Sequence, residues 1–150
     1  MNKMMNMIKG VLIFSMLTAG FMANTAVAAS MDNVAHKVVI QVSTDDPRTQ
    51  KIALNNAANL QKAFGMDNVD VQVVAYGPGL SLLTKNSKNA KRVESMAMQN
   101  VTFNACGNTM AKIEKKKGHK PALAEGVKVV PGGVPYIAGL QEKGYSYIRP

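Results

Sequence analysis

The stretch Lys37-Val-Val-Ile-Gln-Val-Ser43, followed at once by Thr44-Asp45-Asp46-Pro47, decides the fold class. A short, nearly continuous β-branched run suits a central strand buried on both faces, the habit of parallel sheets. Asp46 is a natural N-cap, and Pro47 suits the first helical position. Ala53, Ala57, Leu60 and Phe64 then recur at helical spacing, and Gly65 stops the helix. The same alternation continues to the end of the chain. Strands are expected at Val69 to Tyr76, Val101 to Cys106, Val127 to Val130 and Tyr145 to Ile148. Helices are expected over Leu80 to Met98, with a break near Asn86-Ser87, then from Gly107 to about Lys117, and from Val134 to Lys143. This order predicts an open, mostly parallel five-stranded sheet with helices on both faces, a flavodoxin-like α/β fold.

The 150 residues carry a net charge of +9, one Cys and no Trp. That length suits one domain. A lone Cys excludes an internal disulfide framework and a Cys-based zinc finger. Lys3 and Lys9, the uncharged run Gly10 to Ala23 and the small residues Ala26-Val27-Ala28 have the layout of a secretory leader, read as residues 1–28. The apolar run is shorter than the roughly 20 residues a membrane span needs. Residues 29–36 are expected to be a flexible start, and 37–150 the folded domain. Loss of Lys3 and Lys9 from the 18 basic residues leaves the mature chain at +7. An exported basic protein meets no genome, so nucleic acid is not the expected partner. Export places the chain in the periplasm.

In sheets of this class, sites form outside the carboxyl ends of the strands. That edge carries Asp45, Asp46, Gly77, Gly79, Cys106, Gly107, Asn108, Thr109, Gly132 and Gly133. Cys106 sits at a helix N-terminus, where unpaired N–H groups and the helix dipole favour the thiolate. Gly107 permits close backbone approach, and Asn108 and Thr109 can cap the helix or bond a held group. The competing reading is a small buried apolar residue, the common fate of a free Cys. Seven strand residues separate His36 from this edge, about 23 Å. His119 lies one helix away, roughly 17 Å. Neither pairs with Cys106 within one subunit, which argues against a Cys–His hydrolase. Met96, Met98 and Met110 make a weak copper signal and are better read as core. Gly77-Pro78-Gly79 and Gly132-Gly133 match no nucleotide-binding fingerprint, so no cofactor or metal is expected. Lys112, Lys115, Lys116, Lys117 and Lys120 are read as complements to a helix dipole.

The segment Val101-x-Phe-x-Ala-Cys106-Gly-Asn-Thr-Met110, with the basic helix ending in Gly118, resembles the DsrE/DsrF-like (TusD-like) sulfur-relay family. So does Val130-Pro-Gly-Gly-Val-Pro-Tyr-Ile137 with Leu140-Gln141 and Gly144-Tyr-x-Tyr-Ile-Arg-Pro150. The resemblance runs from Lys37 to Pro150, and the export leader marks an exported subgroup. It implies a flavodoxin-like fold and assembly as a homotrimer or hexamer. For Cys106 alone it implies uptake of sulfane sulfur as a persulfide from a small-molecule or protein donor, and its delivery to an acceptor. Gly107, Asn108, Thr109, Asp45, Gly77, Gly79, Gly132 and Gly133 are then candidates to hold the sulfur-bearing group. Two other classes compete: an oligomeric binding module with a structural cysteine, and a thiol redox sensor.

Overall fold

The computed structural model describes residues 35–150. The expected leader, residues 1–28, and most of the expected flexible start lie outside the described residues. Five parallel strands form one sheet: β1 His36–Val42, β2 Val69–Ala75, β3 Val101–Cys106, β4 Val127–Val130 and β5 Ser146–Ile148. Their spatial order is β4-β3-β2-β1-β5. The α-helices are α1 Pro47–Phe64, α2 Ala90–Ala97, α3 Gly107–Lys117 and α4 Gly133–Glu142. The class is the expected flavodoxin-like α/β sheet. The first strand begins at His36, so that residue leaves the expected flexible start and stacks its ring on Phe64 at 3.8 Å between centroids.

One register explains the two faces. Val38, Ile40, Val42, Val71, Val73, Phe103 and Ala105 point to the face covered by α1, α2 and α3. They pack there with Ala53, Leu54, Ala57, Val93, Met96 and Met110. Met96 and Met110 are thus core, while Met98 is 82% exposed. The alternate residues Val39 and Val74 meet Ile137 and Leu140 of α4 on the other face. That second face is thinly covered and polar. The buried Asn104 amide donates to Gln72 at 2.9 Å, Gln72 donates to Asp70 at 2.9 Å, and the Tyr145 hydroxyl donates to Asp70.

The boundaries of α1 and α3 follow local chemistry. Asp46 accepts from the Thr49 N–H at 2.7 Å and caps α1. Gly118, at φ +78°, ends α3 in the left-handed conformation that glycine adopts without strain. The helix expected over Leu80 to Met98 is interrupted around Asn86-Ser87, as expected, but its first part is corrected. A 3-10 segment runs Gly77–Leu83, and α2 begins only at Ala90. Leu80, Leu82 and Leu83 are all buried, and such a spacing does not fit one helical stripe. Between the two pieces, the Lys85 N–H donates to the Ala122 carbonyl at 2.9 Å and Thr84 bridges to Leu123. Tertiary pairing with the segment before β4 therefore takes the backbone groups that a continuous helix would use.

Candidate functional site

The strand order creates a crevice at one place. The chain leaves β3 into α3 on one face of the sheet, and leaves the neighbouring β4 into α4 on the other. Ligands of open α/β sheets bind where neighbouring connections diverge in this way. The two carboxyl ends that meet there are Cys106 and Val130, which are paired in register.

The Cys106 sulfur lies between two helix starts. Cys106 is the N-cap residue of α3, and the Gly133 N–H, in the first turn of α4, donates to Sγ at 3.2 Å. The thiol is 5% exposed. Burial pushes its pKa up, but the Thr109 hydroxyl, the Gly133 N–H and the Thr109 and Asn108 N–H groups outweigh that, and the net direction is down. The Asn108 N–H is chiefly engaged elsewhere, donating to the Pro131 carbonyl at 3.1 Å. Gly133 and Thr109 are therefore the principal supports of a thiolate. Helix N-termini supply such donors without any charged side chain.

Thr109 acts as a relay. Its Oγ1 accepts from the Gly77 N–H at 3.0 Å, which leaves the hydroxyl proton to turn toward sulfur. The glycines of the edge have packing reasons that can be stated. A Cβ on Gly107 would stand 3.1 Å from the Val130 carbonyl oxygen and 3.2 Å from that of Pro131. One on Gly133 would meet the Tyr76 side chain at 3.1 Å, and one on Gly132 the Pro135 ring at 2.9 Å. These contacts hold α3, α4 and the end of β2 close around the sulfur. Gly79 is farther from this cluster in role: a Cβ there would lie 2.2 Å from the Val42 carbonyl oxygen, so it packs the 3-10 segment on β1. Asp46 is spent on its cap, where the Thr49 hydroxyl and N–H hold its carboxyl below the ordinary range.

Asp45 and Gly77 open instead onto a cavity of about 840 Å³ in whose wall Thr109 also stands, while Cys106 itself does not line it. His119 and four lysines share that wall. Sequence reasoning placed His119 one helix length away and read it as a plain surface residue. His119 is exposed and lines the same cavity as Thr109. Its ring bonds the Lys120 carbonyl at 3.1 Å and is no partner of Cys106. Among the described residues, no three His, Cys, Asp or Glu side chains gather in a metal-ligating cluster.

Comparison with known proteins places the fold and the family. The DsrE/DsrF-like family profile matches residues 36–150. A structure described as a protein of unknown function, MTH1491 from Methanobacterium thermoautotrophicum, is 33% identical, with a TM-score of 0.69. The match covers 77% of this chain and 99% of that one. The YchN protein from E. coli shares the fold at 15% identity and a TM-score of 0.62, again over 77% and 99%. A search of the curated proteins returns no match. The profile spans the whole domain from β1 to the last residue, so the chain belongs to the DsrE/DsrF-like family.

Proposed function

We propose that this protein is a periplasmic sulfur carrier or sulfurtransferase-like protein, which holds sulfane sulfur as a persulfide on Cys106. Family membership supports a sulfur-relay-like role. The observation that carries the finer reading is the place of Sγ at the meeting of two helix starts, where the Gly133 N–H donates to it at 3.2 Å. A persulfide is an anion, and fixed N–H dipoles stabilise it as they do the thiolate. The leader-like residues 1–28 support export and cleavage. The thin polar cover of the second sheet face supports assembly as a homotrimer or hexamer, because parallel sheets are ordinarily covered on both faces.

One observation favours a second reading. Cys106 is 5% exposed, as expected of a structural cysteine in a binding module. Intact mass decides between the two. Protein purified without reductant, or treated with polysulfide, should gain one sulfur atom that dithiothreitol removes. Cys106→Ser should gain none. An unmodified wild-type mass after polysulfide treatment would favour the structural cysteine. The same spectrum reports the cleavage site of the leader.

A further inference from the structure

Along α3 the residues Thr109, Lys112 and Lys116 follow at spacings of three and four, so one helical face presents them together, with Lys117 beside Lys116. All four line the 840 Å³ cavity, joined by Lys120 and His119 from the segment that follows. Complementing the helix dipole accounts for cations in the last turn only. Lys112 stands in the middle of the helix, and like charges at Lys112 and Lys116, four residues apart, oppose helix formation. Among the described residues the one ion pair is Lys120 with Glu114, at 3.9 Å. Asp45 is the sole acid in the cavity wall. A concave wall that carries four lysines against one aspartate attracts anions. Its volume lies in the range of pockets for drug-sized organic molecules and far exceeds a bare inorganic ion.

Resting on the carrier reading of Cys106, we infer that this cavity binds a carboxylate-bearing, peptide-sized organic thiol in its persulfide form and presents it to Cys106. The lysines hold the carboxylates, and Thr109, common to the cavity wall and the sulfur site, marks the side from which the persulfide approaches. The Cys106 thiolate attacks the terminal sulfur of R–S–SH. A new S–S bond forms to Cys106, the bond between the two donor sulfurs breaks, and R–S⁻ leaves. The proton stays on the transferred sulfur, and no external oxidant or reductant is needed.

The test separates binding from transfer. S-Methylglutathione, which has carboxylates but no transferable sulfur, should bind wild type and Cys106→Ser alike in calorimetry. Binding should weaken about tenfold in the double variant K112Q/K116Q, and likewise in about 0.5 M NaCl. Absence of binding to wild type, or equal binding by the double variant, overturns the inference. Binding of thiosulfate with none of S-methylglutathione overturns it as well. In kinetics, glutathione persulfide should modify Cys106 about tenfold more slowly in K112Q/K116Q, while the persulfide of 2-mercaptoethanol, which has no carboxylate, reacts with both at one rate. An equal slowing with both donors counts against the site. Lysine-dependent binding with no sulfur uptake from either donor would support the anion site and sink the carrier reading. The two failures are thus distinguishable. Both lysines are exposed, so the variants should keep the wild-type circular dichroism spectrum.

Discussion

At the scale of single residues, the chemistry of Cys106 rests on neutral donors rather than on a charged partner. Removing the Thr109 hydroxyl should therefore be visible in the thiol itself. Thr109→Val is expected to move the midpoint of the pH profile for iodoacetamide alkylation upward by about one pH unit, the worth of one hydrogen bond to an anion. An unchanged midpoint would show that Thr109 does not bond the sulfur. Stability should carry the same signature. The native thiol pKa lies below the ordinary thiol value that holds in the unfolded chain. The resulting stabilisation is complete above that ordinary value and is lost as pH falls through the native one. The difference in urea midpoint between wild type and Cys106→Ser should widen in this direction as pH rises across that window. A constant difference would mean that the thiol titrates alike in both states.

At the scale of elements, two glycines with opposite surroundings make a paired prediction. Gly79 stands where a Cβ would lie 2.2 Å from backbone oxygen of β1. Gly79→Ala should destabilise the protein by about 3 kcal/mol, since neither β1 nor the 3-10 segment can withdraw. Gly139 lies inside α4 with nothing within 4 Å of a built Cβ. Gly139→Ala should stabilise by up to about 1 kcal/mol, the difference in helix propensity. Urea titration of both variants gives the two signs, and a stable Gly79→Ala would show that the 3-10 segment can shift. In the core, Phe103 is fully buried at the centre of β3, and Phe103→Ala should cost about 3–5 kcal/mol.

At the scale of the whole molecule, the uneven clothing of the sheet has a consequence for assembly. Three helices cover one face, and α4 alone covers part of the other, beside the Asp70, Gln72 and Asn104 chain. Val129 and Val134, at 56% and 59% exposure, flank the end of β4 near the sulfur. Sedimentation velocity of the mature protein should give three or six times the chain mass. A monomer at micromolar concentration would remove the proposed oligomer and leave the polar face simply solvated.

The order of strands and helices was legible from local signals: β-branched runs, the Asp46-Pro47 helix start, and Gly65 and Gly118 as stops. These work because capping and backbone freedom act within a few residues. Cys106 was legible for the same reason, as a lone thiol at a strand-to-helix junction. So were Gly107, Thr109 and Gly133 as its neighbours along one sheet edge. A break near Asn86-Ser87 was legible, but the 3-10 form of Gly77–Leu83 before it was not, because the groups that compete for the backbone there lie near Ala122, almost forty residues on. Nor was the shared cavity of Thr109, His119 and the lysines. Helical spacing puts Lys112 and Lys116 on one face of α3, but only the packed chain shows what that face confronts. Local chemistry thus determined the elements and the thiol by itself. The partners of the thiol, the crevice between β3 and β4, and the basic wall beside it came from contacts distant in sequence, which only the closed tertiary structure brings within bonding range.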